Sequence, residues 1–429
     1  MTKALYAGVA FCAIAAVQAQ AGELTAWVMD AAAEKPYFAQ LEEAFNAAHA
    51  AQGITLDVVP LPSYNDALQG ATVDGSLPDI ILVDGPNMAS MAWAGTLQPI
   101  DNLVDPALLE DMMPAVKAQG IYGPTGELYF LSQYDSSVIL WGNKSMLEAA
   151  GVRIPTSVDD AWTGEELRAA LEALSKVEGV KWPLDMKLNY GAGEWMTYGF
   201  APFIQSNGGD LINRTTWTAE GTINGPESVA AITELQDWYK NGWIVPASAG
   251  DNQFYGEKTA ALSWVGNWMW PPHSEGHGED LVFIPAPKFG PEGVKSPNGG
   301  WGWSVPATTT NTADVKVFLD FVMSAEQVAQ YADITGFAPS RAAAVPLSAK
   351  YGAEGPQSLF IDQGNCCATV RPVHPAYPVI TLSWSQAMQN ILSDGLADVQ
   401  SELDAAARAI DTDIEDSAGY PPFGPVTGQ

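Results

Sequence analysis

Apolar positions recur along this chain in two alternating rhythms. Residues 24–29 (Leu-Thr-Ala-Trp-Val-Met), 54–59 and 80–83 are short apolar or alternating runs that read as strands. Between the first two, residues 34–49 carry Phe38, Leu41, Phe45 and Ala48 on one face at helical spacing. Short apolar strands separated by amphipathic helices predict an α/β fold, with mostly parallel sheets flanked by helices. Helix punctuation continues downstream. Thr163 with Glu166 has capping-box spacing ahead of Leu167, Leu171 and Leu174, and Ser324 with Gln327 repeats it ahead of Val328 and Tyr331. Pro226 suits a first helical turn before Val229, Ile232, Leu235 and Tyr239. A strand is expected over 260–263, and two more helices near 381–392 and 399–414. Residues 285–300, rich in Gly and Pro, read as a loop or crossover between lobes. The run Gly419-Tyr420-Pro421-Pro422 reads as a loose tail.

The N-terminus changes the picture by assigning a compartment. Lys3 supplies a positive start, residues 4–17 are an uncharged apolar run, and Ala19-Gln20-Ala21 has the small-x-small pattern of a cleavage site. A signal peptide over 1–21 and a mature chain from about Gly22 are expected, and with them a periplasmic location. Phe11 is too large for the small residue that precedes a lipidated cysteine, which argues against an anchor on Cys12. No later apolar run has the length of a transmembrane helix. The 429 residues suffice for two or three lobes with real cores, and 47% hydrophobic residues with 10% aromatics argue against disorder. Nineteen basic against 50 acidic residues give a net charge of −31, which repels nucleic acid and anionic lipid. Cys366 and Cys367 are adjacent. They form either a vicinal disulfide or a pair of buried thiols.

Signatures of enzyme classes are missing from the sequence: there is no Walker loop, His-Glu-x-x-His, Gly-x-Ser-x-Gly or Cys-x-x-Cys. The Gly-x-Gly at 191–193 lacks the third glycine of a dinucleotide loop. His273 and His277 have the spacing of zinc ligands on a helix, but their Gly and Pro neighbours predict a solvated loop instead. No cofactor and no metal are expected.

Six segments, taken in order, resemble the sugar-binding (maltose-binding-like) solute-binding proteins of ABC importers. Gly75-Ser76-Leu77-Pro78-Asp79-Ile80 is similar to that family's approach to its third strand, and the run from Ala94 to Asp101 to its Ala-Gly-x-Leu-x-Pro-Leu-Asp. Leu140-Trp141-Gly142-Asn143-Lys144, the run from Tyr255 to Ala261, Pro285-Ala286-Pro287 and the run from Gly336 to Arg341 follow in the family's order. Gly142 departs from the usual aromatic, and the chain beyond Arg341 resembles the family less. The resemblance implies a two-lobed periplasmic-binding fold closing on its ligand about a hinge. One lobe would hold 22–133 plus 288–336, and the other 134–287 plus 339–429. It also implies an importer permease as partner, a monomeric state and no turnover.

A sugar presents hydroxyl pairs and flat C–H patches, so its site needs planar polar groups and aromatic faces. In an open parallel sheet the ligand lies beyond the carboxyl ends of the strands. The loops there offer Asp30, Tyr64, Asp84 and Asn87, although both aspartates could simply cap helices. Tyr134 and Asp135 lie at the expected hinge, and Glu194 with Trp195 on a glycine-flanked turn. Trp264, Trp268 and Trp301 stand among glycines that could admit a ligand, with Trp268 and Trp301 preferred as stacking platforms and core packing as the ordinary alternative. Arg341 could fork onto hydroxyls or pair with an acid. A neutral sugar or oligosaccharide is the expected ligand. A polyol, a glycerol-phosphate diester or a polyamine is the alternative, and a secreted glycosidase a further one that needs two facing carboxylates.

Overall fold

The computed structural model describes residues 22–353 and 355–423. The proposed signal peptide and Cys12 lie outside the described residues. Among these residues, eight strands of four or more residues are β1 (Gly22–Met29), β2 (Ile54–Leu61), β3 (Ile80–Asp84), β4 (Val138–Asn143), β5 (Trp182–Asp185), β6 (Ala260–Gly266), β7 (Leu281–Ile284) and β8 (Trp301–Ser304). They build two sheets, ordered β8-β3-β1-β2 and β7-β4-β6-β5.

In the first sheet β1 pairs in parallel with β2, from Gly22 opposite Ile54 to Met29 opposite Leu61, and in parallel with β3. Leu24, Ala26 and Val28 point to one face and are buried there against Phe38, Leu41 and Phe45 of helix Lys35–His49. β8 joins the edge antiparallel to β3, with Trp301 opposite Asp84. The second sheet departs from the expected mostly parallel pairing. Only β5 and β6 pair in parallel, while β4 runs antiparallel to both of its neighbours. The reason is the route of the chain. β4 and β8 each start at the boundary between the two halves and run outward, whereas their neighbours run toward it.

Each sheet carries its own core. One gathers β1–β3 with Trp303, Phe318, Val322 and Tyr331. The other gathers β4–β6 with Trp141, Leu171, Phe203, Ile232 and Trp384. Short pairings stitch the boundary: Tyr134–Asp135 with Ala338–Pro339, Ser296–Pro297 with Ala368–Thr369, and Ser136 with Gly299.

Local signals behave as their chemistry requires. Thr163 accepts from Glu166 N at 3.2 Å while the Glu166 carboxylate accepts from Thr163 N at 2.8 Å, closing the capping box of helix Gly164–Leu174. Ser324 caps helix Ala325–Thr335 through Gln327 N at 3.3 Å, but the Gln327 side chain turns to Tyr37 instead of closing a box.

Three expectations are corrected. Residues Trp270–His277 are a helix, because Pro271 and Pro272 occupy its first turn, where no amide donor is needed. His273 and His277 are buried on that helix against Phe254. Burial holds the His273 ring neutral, far below its ordinary pKa. The strand expected over 260–263 continues to Gly266, buried along its whole length. The tail is not loose through Tyr420, which is buried and donates to Asp413 at 2.6 Å. Cys366 and Cys367 are disulfide-bonded at the end of helix Ser358–Cys367.

Candidate functional site: a cavity between the lobes

The carboxyl ends of the strands deliver the site. β1 ends at Met29, β3 at Asp84, and β6 at Gly266 just before Trp268, while β8 begins at Trp301. Helix Glu194–Ser206 points its first turn at the same place. A cavity of about 290 Å³ results, walled on one side by Met29, Glu34, Asp84, Tyr134, Trp301 and Phe337. The opposite wall is Ser136, Tyr190, Glu194, Trp195, Tyr198, Trp268 and Arg371.

Its aromatic lining is built edge to face. Trp268 meets Trp195 at 6.0 Å between ring centroids and 87° between planes, and Tyr190 meets Trp195 at 5.5 Å. Across the cavity the Trp301 ring rests on Tyr64 at 5.7 Å. Two glycines make this packing possible. A Cβ on Gly266 would lie 1.9 Å from the Trp268 ring, and one on Gly300 (φ 156°) 2.9 Å from the Tyr134 ring. These glycines admit the protein's own rings, not a ligand as the sequence suggested.

Arg371 sets the electrostatics. Its guanidinium is buried, donates from Nη2 to Asp84 Oδ1 at 3.1 Å, pairs through Nη1 with Glu194 Oε1, and lies 5.0 Å above the Tyr198 ring. Glu194 also accepts from Tyr377 Oη, and from Thr381 Oγ1 at 2.8 Å. Burial raises the Asp84 carboxyl to about 6 although Arg371 opposes the shift. Burial likewise raises Glu34 to about 7, against the hydroxyl that Tyr331 donates to it. The wall therefore carries planar polar groups held rigid by partners.

A larger hollow of about 670 Å³ lies within the second lobe. Its aromatic floor, Phe203 and Trp238, is buried, and its rim charges Arg168 and Glu234 pair with each other at 2.8 Å. The interlobe cavity joins partly exposed indoles, Trp268 and Trp301, with the convergent polar groups Asp84, Glu194 and Arg371.

Residues 22–329 match the family described as bacterial extracellular solute-binding protein. The chain belongs to that family. Solved structures share the fold of this solute-binding protein over nearly its full length. The GacH receptor of Streptomyces glaucescens, solved unliganded and with acarbose, is 24% identical, with a TM-score of 0.78 and coverage of 92% of this chain and 99% of that one. The cyclic alpha-maltosyl-1,6-maltose binding protein of Arthrobacter globiformis is 21% identical, with a TM-score of 0.75 over 92% and 99%. The sugar-binding protein MalE of Xanthomonas citri is 19% identical, with a TM-score of 0.74 over 92% and 98%. The two-lobed periplasmic-binding fold is thus common to all four.

The structure brings Asp84, Tyr134, Glu194, Trp195, Trp268 and Trp301 of this solute-binding protein together around the cavity. It places the other candidates elsewhere. Asp30 is exposed beside Lys35 at 3.1 Å. Tyr64 stands behind Trp301 and donates to the Leu82 carbonyl at 2.7 Å. Asn87 lines an adjoining hollow that shares Asp84 and Trp301 with the cavity. Asp135 is buried in the hinge, where it accepts from Asn298 Nδ2 at 2.7 Å and Gly299 N at 3.0 Å. Trp264 is sealed in the core because β6 is covered on both faces, and its Nε1 donates to the Gly199 carbonyl at 2.7 Å. Arg341 pairs with Asp111 at 2.8 Å and does not line the cavity, although Phe337 four residues before it does. The residues that sequence reasoning missed are Arg371, Glu34, Tyr198, Ser136, Tyr190, Met29 and Phe337. Arg371 lies in Thr369-Val370-Arg371-Pro372, where neither periodicity nor family likeness gives a signal.

Proposed function

We propose that this chain is the substrate-binding component of an ABC importer, which captures a neutral sugar or oligosaccharide between its lobes and releases it unchanged. The carrying observation is the pairing, around one cavity, of indole faces from Trp195, Trp268 and Trp301 with the Asp84–Arg371–Glu194 cluster. Flat C–H patches suit the first and hydroxyl pairs the second. Structural neighbours named for acarbose, cyclic maltosyl-maltose and sugar binding support the ligand class. Arg371 is matched by two carboxylates, which speaks against a phosphodiester.

In this reading the mature protein starts near Gly22, works as a monomer in the periplasm and docks onto importer permeases. The lobes are read as 22–133 plus 288–336 and 134–287 plus 339–429; the two cores support this division except at its edges, where Phe289 and Val294 pack into the second core and Tyr134 and Ala344 into the first. Trp268 and Trp301 act as platforms, and Asp84, Glu194 and Arg371 hold hydroxyls. A thermal-shift screen of mono-, di- and trisaccharides, polyols, glycerol-phosphate diesters and polyamines tests it. A ligand at about 100 times its Kd adds about 2.7 kcal/mol of stability, enough for a clear rise in Tm. A rise with polyamines or phosphodiesters and none with saccharides would overturn the ligand class. Release of cleaved product from labelled oligosaccharide would overturn the assignment as a carrier.

A further inference from the structure

The last described residues, 420–423, do not hang from the second lobe. They cross to the first. Tyr420 is anchored at home by its hydrogen bond to Asp413 and by packing at 5.5 Å on His374. Its other side meets Trp93 of the first lobe edge to face at 5.0 Å. The Trp93 Nε1 donates to the Pro421 carbonyl at 2.9 Å. Phe423 then wedges between lobes: it packs on Trp217 at 6.0 Å and His374 at 4.8 Å on one side, and on Tyr122 at 5.3 Å on the other. Phe423 is correspondingly shared between the second lobe's core and the small first-lobe cluster of Ile81, Val83, Met88 and Tyr122.

The strap also backs the binding wall. His374 is fully buried, boxed by Trp217, Tyr420 and Phe423, and stands three residues after Arg371. Val373, between them, packs on the same first-lobe cluster. The segment that carries the cavity's cation is therefore held against the first lobe from outside, by contacts that no ligand makes. Hinge opening that separates Arg371 from Asp84 has to pull Trp93 and Tyr122 off the strap.

We propose that residues 420–423 form an interlobe strap that favours the closed state and slows ligand release by holding the two lobes together beside the cleft.

Small-angle scattering of the ligand-free, full-length mature protein tests this without any knowledge of the ligand. Trp93→Ala removes the first-lobe anchor at a site that is 42% exposed, so folding is spared. Phe423→Ala removes the wedge from the other side. Loss of aromatic contacts of this kind shifts the closing equilibrium about tenfold toward open, so both variants show a larger radius of gyration than the wild type. Trp93→Phe, which keeps a ring for Tyr420 but cannot donate to Pro421, falls between. With the saccharide that gives the largest thermal shift, the two alanine variants release it about tenfold faster in stopped-flow fluorescence. Scattering curves identical to wild type for both alanine variants would overturn the strap, as would a lowered Tm with unchanged scattering. Absence of any saccharide binding would overturn the proposed ligand and leave the scattering result standing.

Discussion

Replacing Arg371 with Met separates the roles of charge and shape in the cleft. The Arg371 and Asp84 side chains are only 5% and 10% exposed, and they come from opposite lobes. Removing one partner of a buried pair costs about 3–5 kcal/mol, because the remaining charge is left without compensation. Glu194 retains Tyr377 and Thr381 as donors, so the lower end applies. Water reaches Asp84 when the lobes part, so this cost falls on the closed state alone. The Kd for the best saccharide should then rise by about 3 kcal/mol, or about 100-fold. Isothermal titration calorimetry measures it. In Arg371→Met, closing forces Asp84 to take up a proton, so affinity improves as pH is lowered from 8 toward 5. Adding Asp84→Asn removes the stranded charge and should recover about tenfold. A single variant within threefold of wild type would refute the role of the pair. A double variant no better than the single would show that Arg371 acts by touching the ligand, not by neutralising Asp84.

Trp268→Ala and Trp301→Ala should each weaken saccharide affinity by about tenfold, from the loss of a stacking face. Trp264→Ala should instead lower unfolding stability by about 3–5 kcal/mol in urea titrations. Glu34 binds its proton more tightly folded than unfolded, with a pKa raised by burial to about 7 from 4.5. Its contribution to stability is therefore fully present below pH 4.5 and is lost as pH rises to 7. Glu34→Gln should flatten the decline of Tm across that window, and an unchanged slope would refute the assignment. Asp84 and Asp135, raised by burial to about 6 and about 7, add slopes of the same sign and supply the residual decline. Thr163→Ala should cost about 1 kcal/mol of stability through loss of the cap on helix Gly164–Leu174, measured by denaturant unfolding.

The chain's own pattern determined what is local. Strand and helix rhythms over residues 24–83, the capping box at Thr163 and the proline at 226 act within a few residues, so their chemistry is legible in one dimension. Asp84 could be located because a strand's carboxyl end is a sequence position as well as a place. Burial is not local, and there the reading failed. Trp264 and Trp268 sit four residues apart in one indole-rich run, yet the first is covered on both faces of β6 and the second projects past its end. Arg341 looked like the rare cation of the site, but Asp111 is its partner, and Arg371 is drawn in by Asp84 and Glu194, 287 and 177 residues away along the chain. The same holds for the tail that closes on Trp93. Desolvation and partner choice depend on which distant surfaces meet, and only the packed lobes decide that.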